Sequence, residues 1–239
     1  MPFLGPYTGK AEKSPSYIFG PHWENHSGYR VIEGADKYNH KFGGDSWNVP
    51  ICKLCNEPMH QIFTFDLEDP RLESIKVEGL NELPLVSCLN CSKSWDTQVF
   101  KLNSENKSIE MMRQDDIENW VQDEEDKIQV PLPSIKMSLK EMLQNDIPTD
   151  NDKYEEAMEL FGTEYLCRIL GAPLYAQEPL NRECTICGKE MMYIATVSGE
   201  SDYNSFNIIK EVDFTIGEMY LYFMMCKECL SIKIECQGT

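Results

Sequence analysis

Eight of the ten cysteines in this 239-residue chain fall into four C-x-x-C pairs, Cys52/Cys55, Cys88/Cys91, Cys184/Cys187 and Cys226/Cys229. A C-x-x-C turn sets two sulfurs on one side of a tight loop, which is half of a tetrahedral zinc site. Two halves make a closed four-cysteine centre with no ligand position left for substrate. Taken in chain order, the pairs predict two zinc ions per chain, one on Cys52, Cys55, Cys88 and Cys91 and one on Cys184, Cys187, Cys226 and Cys229. The gaps inside each set, 32 residues after Cys55 and 38 after Cys187, exceed the roughly 15–20 of a minimal zinc ribbon. Each gap must therefore hold more than one hairpin, and the pairing rests on order rather than on a standard spacing. A redox dithiol, a disulfide framework and pairing across the two sets are the alternatives. The redox reading lacks a thioredoxin-like βαβ context. Cys167, in the apolar stretch TEYLCRIL, and Cys236 read as buried, inert thiols.

The histidines add little to the metal chemistry. His22 and His26 stand at i, i+4 in PHWENH, with no third ligand placed to complete a site. His60 follows Met59 at the start of an expected strand and reads as a surface or rim residue.

The surroundings of the first pair in each set repeat. NVPICKLCNEPMHQIF, residues 48–63, and LNRECTICGKEMMYIA, residues 180–195, share C-x-x-C-x-x-x-Met-x-x-Ile at an offset of 132. Upstream, FGGDSW (42–47) answers LGAPLY (170–175), setting Gly43 against Gly171 and Trp47 against Tyr175. A glycine turn followed by an aromatic predicts a tight backbone approach and a core anchor. After each first pair the sequence reads as strand: MHQIFTFDL (59–67), PLVSC (84–88), MMYIATV (191–197), VDFTI (212–216), EMYLYFMM (218–225) and LSIKIEC (230–236). The last alternates apolar with polar residues, which predicts one solvated face. The expected fold is α+β and β-rich: two pseudo-symmetric antiparallel-sheet repeats, each pinned by a four-cysteine zinc site, with an acidic helical segment between them. The boundaries are an N-terminal arm (1–35), repeat 1 (36–104), the acidic insert (105–167) and repeat 2 (168–239).

The insert holds 17 acidic residues against 6 basic ones between 105 and 164. Ile109, Met112, Ile117, Trp120 and Val121 stand near helical spacing, and a short helix is expected after Pro131 and Pro133. Tyr154, Ala157, Met158, Phe161 and Tyr165 form a third helical stripe, with Asp150 or Asp152 as cap and Gly171 near its end. The run Asp123, Glu124, Glu125 and Asp126 reads as a solvated helix face or, in the sharper reading, as a docking face for a basic partner. The arm carries Tyr17, Phe19 and Trp23. Its GPYTGK lacks the spacing of a phosphate loop.

Net charge is −18. That repels nucleic-acid phosphates and anionic lipid and favours a basic protein partner. No apolar run is long enough to span a bilayer. The N-terminus shows no basic region followed by an apolar one, so the expected location is the cytoplasm, where cysteines stay reduced. No H-E-x-x-H and no trusted Ser-His-Asp order is present.

A glycine turn, an aromatic, C-x-x-C-x-x-x-Met-x-x-Ile running into a strand, and a later C-x-x-C, all duplicated, resemble the superfamily joining bacterial YwqG-like proteins and eukaryotic programmed cell death protein 2. The resemblance covers roughly 40–100 and 168–237. Tyr175-Ala176-Gln177 and Pro173 fit its pattern, whereas Trp47-Asn48-Val49 and Asp45 depart from it. Many YwqG-like members lack cysteines, so the zinc ligands place the chain nearer the cysteine-bearing branch. The resemblance implies a pseudo-symmetric β-rich fold from two related halves, and chaperone-like or immunity-like binding of a basic protein. It implies no catalytic residue set. A non-enzymatic, zinc-stabilised protein-binding module is the reading that follows. An RNA-processing or hydrolytic enzyme, and an RNA-binding zinc ribbon, are the alternatives.

Overall fold

The computed structural model describes residues 28–114, 119–143, 146, 151–200, 207–210, 212–217 and 219–238. His22, His26, Tyr17, Phe19, Trp23, Ile117 and Asp150 lie outside them. No helix among the described residues is long and apolar enough to cross a membrane.

Eleven strands form one curled antiparallel sheet. In chain order they are β1 (Tyr29–Glu33), β2 (Lys41–Phe42), β3 (His60–Asp66), β4 (Glu82–Ser87), β5 (Gln98–Asn103), β6 (Ser108–Gln114), β7 (Ile135–Glu141), β8 (Cys167–Ile169), β9 (Met192–Ser198), β10 (Met219–Cys226) and β11 (Ser231–Gly238), with an α-helix, α1 (Asn151–Leu160), between β7 and β8. Their order across the sheet is β4-β3-β2-β7-β1-β8-β9-β10-β11-β5-β6. Segments distant in sequence thus share one ladder: β7 lies between β1 and β2, while β5 and β6 extend the sheet beyond β11.

The acidic segment is mostly not helical, which corrects the helical expectation for 105–148. Residues 108–114 are strand β6, and 135–141 are strand β7. Turn chemistry overrides the helical spacing of Ile109 and Met112. In the β5–β6 connection, the Asn103 carboxamide oxygen accepts the amides of Glu105 and Asn106 at 3.1 and 3.4 Å, and Lys107 takes φ 49°. That closes a hairpin. β7 finds partners on both sides, β2 through Ile135 and Lys136 and β1 through Met137 to Glu141. Asp123–Asp126 sit on an exposed turn rather than on a helix. The third stripe is helical as expected, burying Ala157 and, just past its end, Phe161. Gly162, at φ 76°, ends it. Gly171 belongs instead to the turn after β8.

Two further expectations fail by burial. VDFTI forms no strand, although Val212, Phe214 and Ile216 are buried. β11 has no fully solvated face: Lys233 is 3% exposed, with its ammonium 2.5 Å from Asn181 O and from Glu235. A central strand of a curled sheet is covered on both faces, so its polar positions must find partners indoors.

The core runs through the curl, with Phe42 edge-on to both Phe63 and Phe214 at 5.3 and 5.2 Å between ring centroids. Curling brings the two edge strands, β4 and β6, near each other. The seam closes without a ladder. Asn48 exchanges bonds with Lys107 O and the Ile109 amide at 2.8 and 3.0 Å, Gln98 donates to Ser87 Oγ at 2.9 Å, and Lys107 pairs with Glu82. Covered edges of this kind are protected from pairing with another chain.

Two stretches of the ladder carry matching irregularities. Ile62 is the extra residue of a bulge between β3 and β4, and Ile194 of one between β9 and β10. Ile62 O accepts the Gly43 amide at 2.8 Å, and Ile194 O the Leu170 amide at 2.7 Å. By register, Gly43 (φ 65°) and Gly44 (φ 92°) follow β2 in the positions that Leu170 (φ 59°) and Gly171 (φ 68°) occupy after β8. The sequence match of Gly43 with Gly171 is therefore off by one. Trp47 and Tyr175, expected as core anchors, are 3% and 9% exposed.

A Cβ at Gly43 would overlap Pro133 O and lie 2.9 Å from Leu132 Cβ, whereas one at Gly79 (φ 79°) meets nothing within 4 Å. Gly43→Ala should thus cost well over the ~1 kcal/mol expected of Gly79→Ala, which bears only the left-handed backbone penalty. Urea denaturation of the two variants measures the difference, and equal midpoints would show that the β2 turn tolerates a side chain.

Candidate metal centres

The four C-x-x-C pairs assemble into two groups, Cys52/Cys55/Cys88/Cys91 and Cys184/Cys187/Cys226/Cys229, with the sulfurs of each group within 4.8 Å of one another. The pairing is the one expected from chain order. Each group gathers the residues that enter one strand and leave its neighbour: β3 and β4 for the first, β9 and β10 for the second.

The local geometry follows from the backbone. In the first turn, Cys52 N donates to Glu57 O at 2.8 Å and Asn56 N to Cys52 O at 3.0 Å, with Asn56 at φ 60°. In the second, Cys184 N donates to Lys189 O and Gly188 N to Cys184 O, both at 2.8 Å, with Gly188 at φ 69°. Asn and Gly are the residues that adopt this left-handed position most readily. Bridges Ile51↔Pro58 and Glu183↔Glu190 close the two loops. The turn also aims amides inward: those of Leu54 and Cys55 reach Cys52, those of Ile186 and Cys187 reach Cys184, and those of Glu228 and Cys229 reach Cys226. N–H groups aimed at sulfur favour the thiolate, which is the metal-binding form.

Sulfur spacing fits a metal and not a disulfide. Sulfurs lie 3.6 Å (Cys52–Cys91), 3.6 Å (Cys55–Cys88) and 3.2 Å (Cys88–Cys91) apart in the first group, and 3.6 Å (Cys184–Cys229) and 3.5 Å (Cys187–Cys226) in the second. A tetrahedron with metal–sulfur bonds of about 2.3 Å has edges of about 3.8 Å, whereas a disulfide needs about 2.05 Å. All ten cysteines are free thiols.

Electrostatics supply the reason a cation belongs there. In the first group, hydrogen bonds from Cys88 and then Cys91 hold Cys52 far below the usual thiol range. The hydrogen bonds that Cys88 and Cys91 donate to Cys52 in turn hold their own protons in place, pushing Cys88 far up and Cys91 up to about 12. In the second group, burial works against ionisation of Cys184, but the Ser231 hydroxyl and the amides of Cys187 and Ile186 outweigh it and bring Cys184 down to about 6. Burial raises Cys226 to about 12 and raises Cys229. One thiolate per group forms readily, while Cys55, Cys88, Cys91, Cys226 and Cys229 are held toward the thiol unless a positive charge favours their ionised form. Cys167 and Cys236 stand outside both groups, with burial pushing Cys167 well up and Cys236 to about 12.

The surrounding residues were mostly invisible in sequence. His60, expected at a rim, is 1% exposed. Its Nδ1 accepts the Leu89 amide at 3.3 Å and its Nε2–H donates to Ile128 O at 3.2 Å, tying the Cys88–Cys91 turn to β3. Burial lowers its pKa, so it does this as neutral imidazole. Gln114, on edge strand β6, donates to Cys52 Sγ at 3.6 Å, so the first group sits on the seam. Ser231 Oγ lies 3.4 Å from Cys184 Sγ and 3.1 Å from Cys229 Sγ. No spacing rule marks Gln114 or Ser231, because the register of β6 and β11 alone brings them there. Asn90 stands inside the CLNC turn. Asp123, Glu124, Glu125 and Asp126 lie on the segment that packs along that turn, in contact with neither sulfur group. Comparison with known proteins finds no matching family model, no curated relative and no similar solved structure.

Protons compete with the metal for these sulfurs, so affinity weakens as pH falls, and the more so the higher the thiol pKa values of the group. Ser231→Ala removes a donor that lowers Cys184. The pH of half-release from the second group should therefore rise, while that of the first group stays put. Acid titration with a chromophoric chelator reads both steps, and unmoved steps would show that Ser231 does not bear on the metal.

Proposed function

We propose that the chain is a non-enzymatic, zinc-stabilised binding module that captures a basic protein partner, working in the cytoplasm in a chaperone-like or immunity-like role. The observation that carries this reading is the closed sulfur set. Each group supplies four cysteine ligands, so a tetrahedral ion bound there has no open position for a substrate or a reactive water. Zinc is the ion that four thiolates at this spacing suit best in a reducing compartment. Structural zinc contributes about 10–16 kcal/mol of apparent binding energy in small peptides, as much as the whole stability of a typical domain.

Acidity supports the partner class. A chain of net charge −18 attracts a basic protein from a distance and repels polyanions. The enzyme alternative finds little support. The histidine–carboxylate pair His40–Asp69, at 2.9 Å, has both side chains at 0% exposure, and Asp69 also takes Arg71 at 2.6 Å. Such a dyad is sealed from substrate.

We also read the chain as an internal duplication and as a cysteine-bearing relative of the YwqG-like superfamily. The supporting features are the paired bulges at Ile62 and Ile194 and the left-handed Asn56 and Gly188, each at the offset of 132. Each half then folds around its own zinc; of the strands of 105–167, β7 joins the shared sheet between the halves and β6 extends its edge beyond β5.

Elemental analysis of purified protein should give two zinc ions per chain. Cys52→Ser and Cys184→Ser should each lose one ion and unfold or aggregate. Immobilised protein should retain basic proteins over acidic ones, less so as salt rises from about 50 to 500 mM. Metal-free material that stays folded, or retention no better than a charge-matched control, would count against the reading.

A further inference from the structure

Residues 119–128 leave the sheet and run as a strap along the Cys88–Cys91 turn. The Ser92 amide donates to Trp120 O at 2.9 Å, the Trp120 amide to Ser92 Oγ at 3.2 Å and the Gln122 amide to Asn90 O at 3.0 Å, with an antiparallel bridge between Cys91 and Val121. Asn90 then holds the far end with both ends of its side chain: its oxygen accepts the Ile128 amide and its nitrogen donates to Ile128 O, each at 2.8 Å. The strap is thus shaped by the turn that carries two of the sulfurs.

What it turns outward differs from an ordinary acidic surface. Trp120 and Val121 are 39% and 43% exposed, and Trp95, whose amide bonds the same Ser92 at 3.0 Å, is 42% exposed. Asp123, Glu124, Glu125 and Asp126 follow, all exposed. The strap's single cation, Lys127, is committed to Glu57 and Glu124 at 2.8 and 2.6 Å. Large apolar side chains beside an excess of carboxylates have the composition of a binding hot spot with a charged rim.

We infer that the strap 119–128, together with Trp95, is the surface on which an extended basic protein segment docks, and that metal in the first cysteine group decides whether this surface is formed. The inference rests on the basic-partner reading above and names its site. Lysine or arginine side chains of the segment face Asp123–Asp126, and its apolar side chains cover Trp95, Trp120 and Val121. Charge selects the occupant: an acidic segment or a nucleic acid meets like charge here. Metal enters through the backbone. Cys88 and Cys91 flank Leu89 and Asn90, so loss of the ion frees the turn that supplies the strap's bonds. Because coupling of binding energies is reciprocal, a docked segment in turn helps hold the metal. The Cys226–Cys229 turn is the β10–β11 connection, and no comparable strap covers it among the described residues.

The test uses the zinc-loaded full chain and a fluorescein-labelled twelve-residue peptide alternating lysine with leucine and tyrosine. Controls are the same peptide with glutamate for lysine, and oligolysine of equal length. Anisotropy should show binding of the first peptide, none of the glutamate peptide, and at least about tenfold weaker binding of oligolysine. Trp120→Ala and the pair Glu124→Gln, Glu125→Gln should each weaken the peptide about tenfold. Asn90→Ala removes no sulfur and should weaken it similarly while two metals per chain are retained. The peptide should also slow chelator extraction of one metal and leave the other unchanged. Full affinity in Trp120→Ala and Asn90→Ala would overturn the surface and leave the basic-partner reading standing. No binding of any basic probe by the native chain would overturn both. Oligolysine binding as tightly as the peptide would overturn the apolar part of the surface.

Discussion

Four sulfurs within 4.8 Å of one another cannot all carry charge unless a cation sits among them, and that constraint organises the molecule. The turns that aim amides at Cys52 and Cys184 help make the first ionisation of each group easy. In the first group the next ionisation is hard, because Cys88 and Cys91 are held protonated by the hydrogen bonds they give to Cys52. A divalent ion held there would resolve the conflict and fix where one strand begins and its neighbour ends. Because those strands are the edges or the middle of one continuous sheet, a local question about sulfur becomes a question about the whole fold.

The two groups act at different places in that sheet. The second closes one end of a central stack, β9-β10-β11, whose strands are paired along most of their length. The first lies on the seam, where edge strands β4 and β6 approach without a ladder. There Gln114 reaches Cys52 from one edge, the Cys88–Cys91 turn continues the other, and Asn48 bonds across. A seam of isolated contacts has less cooperativity than a ladder, so the sulfur cluster carries more of the local order. His60 and Asn90 extend it outward, one toward β3 and the other toward the strap, by hydrogen bonds that need a neutral imidazole and an amide side chain read in a fixed orientation.

In the proposed reading this arrangement links stability and recognition. An extended acidic segment has too few apolar groups to hold a shape alone. Laid against a turn braced by metal, as proposed above, it would be ordered beforehand, and a partner would then bear less of the ordering cost. The curl separates this strap from the helix α1, which packs Ala157, Phe161 and Tyr165 into a separate small core.

The residue types and spacing of the sequence determined the two four-cysteine groups outright. Four C-x-x-C pairs in order, with Asn56 and Gly188 after the first of each set, specify both knuckles locally, since a tight turn depends on a few adjacent residues. The strands 60–66, 82–87, 192–198, 219–226 and 231–238 were legible for the same reason. Tertiary structure decided the rest. The segment 108–114 shows helical spacing yet became a strand, because a hairpin turn at Asn103–Lys107 and an open edge at β5 offered its backbone a partner. β7 inserted between β1 and β2, and β11 lost its solvated face, because a curled sheet covers both sides of its central strands. Ser231, Gln114 and His60 reached the sulfur groups through strand register, a relation between residues 47, 62 and 29 positions from the cysteine or turn they serve. Local pattern encodes turns and alternation, but which strand lies beside which depends on closing loops and burying faces, and that information is spread over the whole chain.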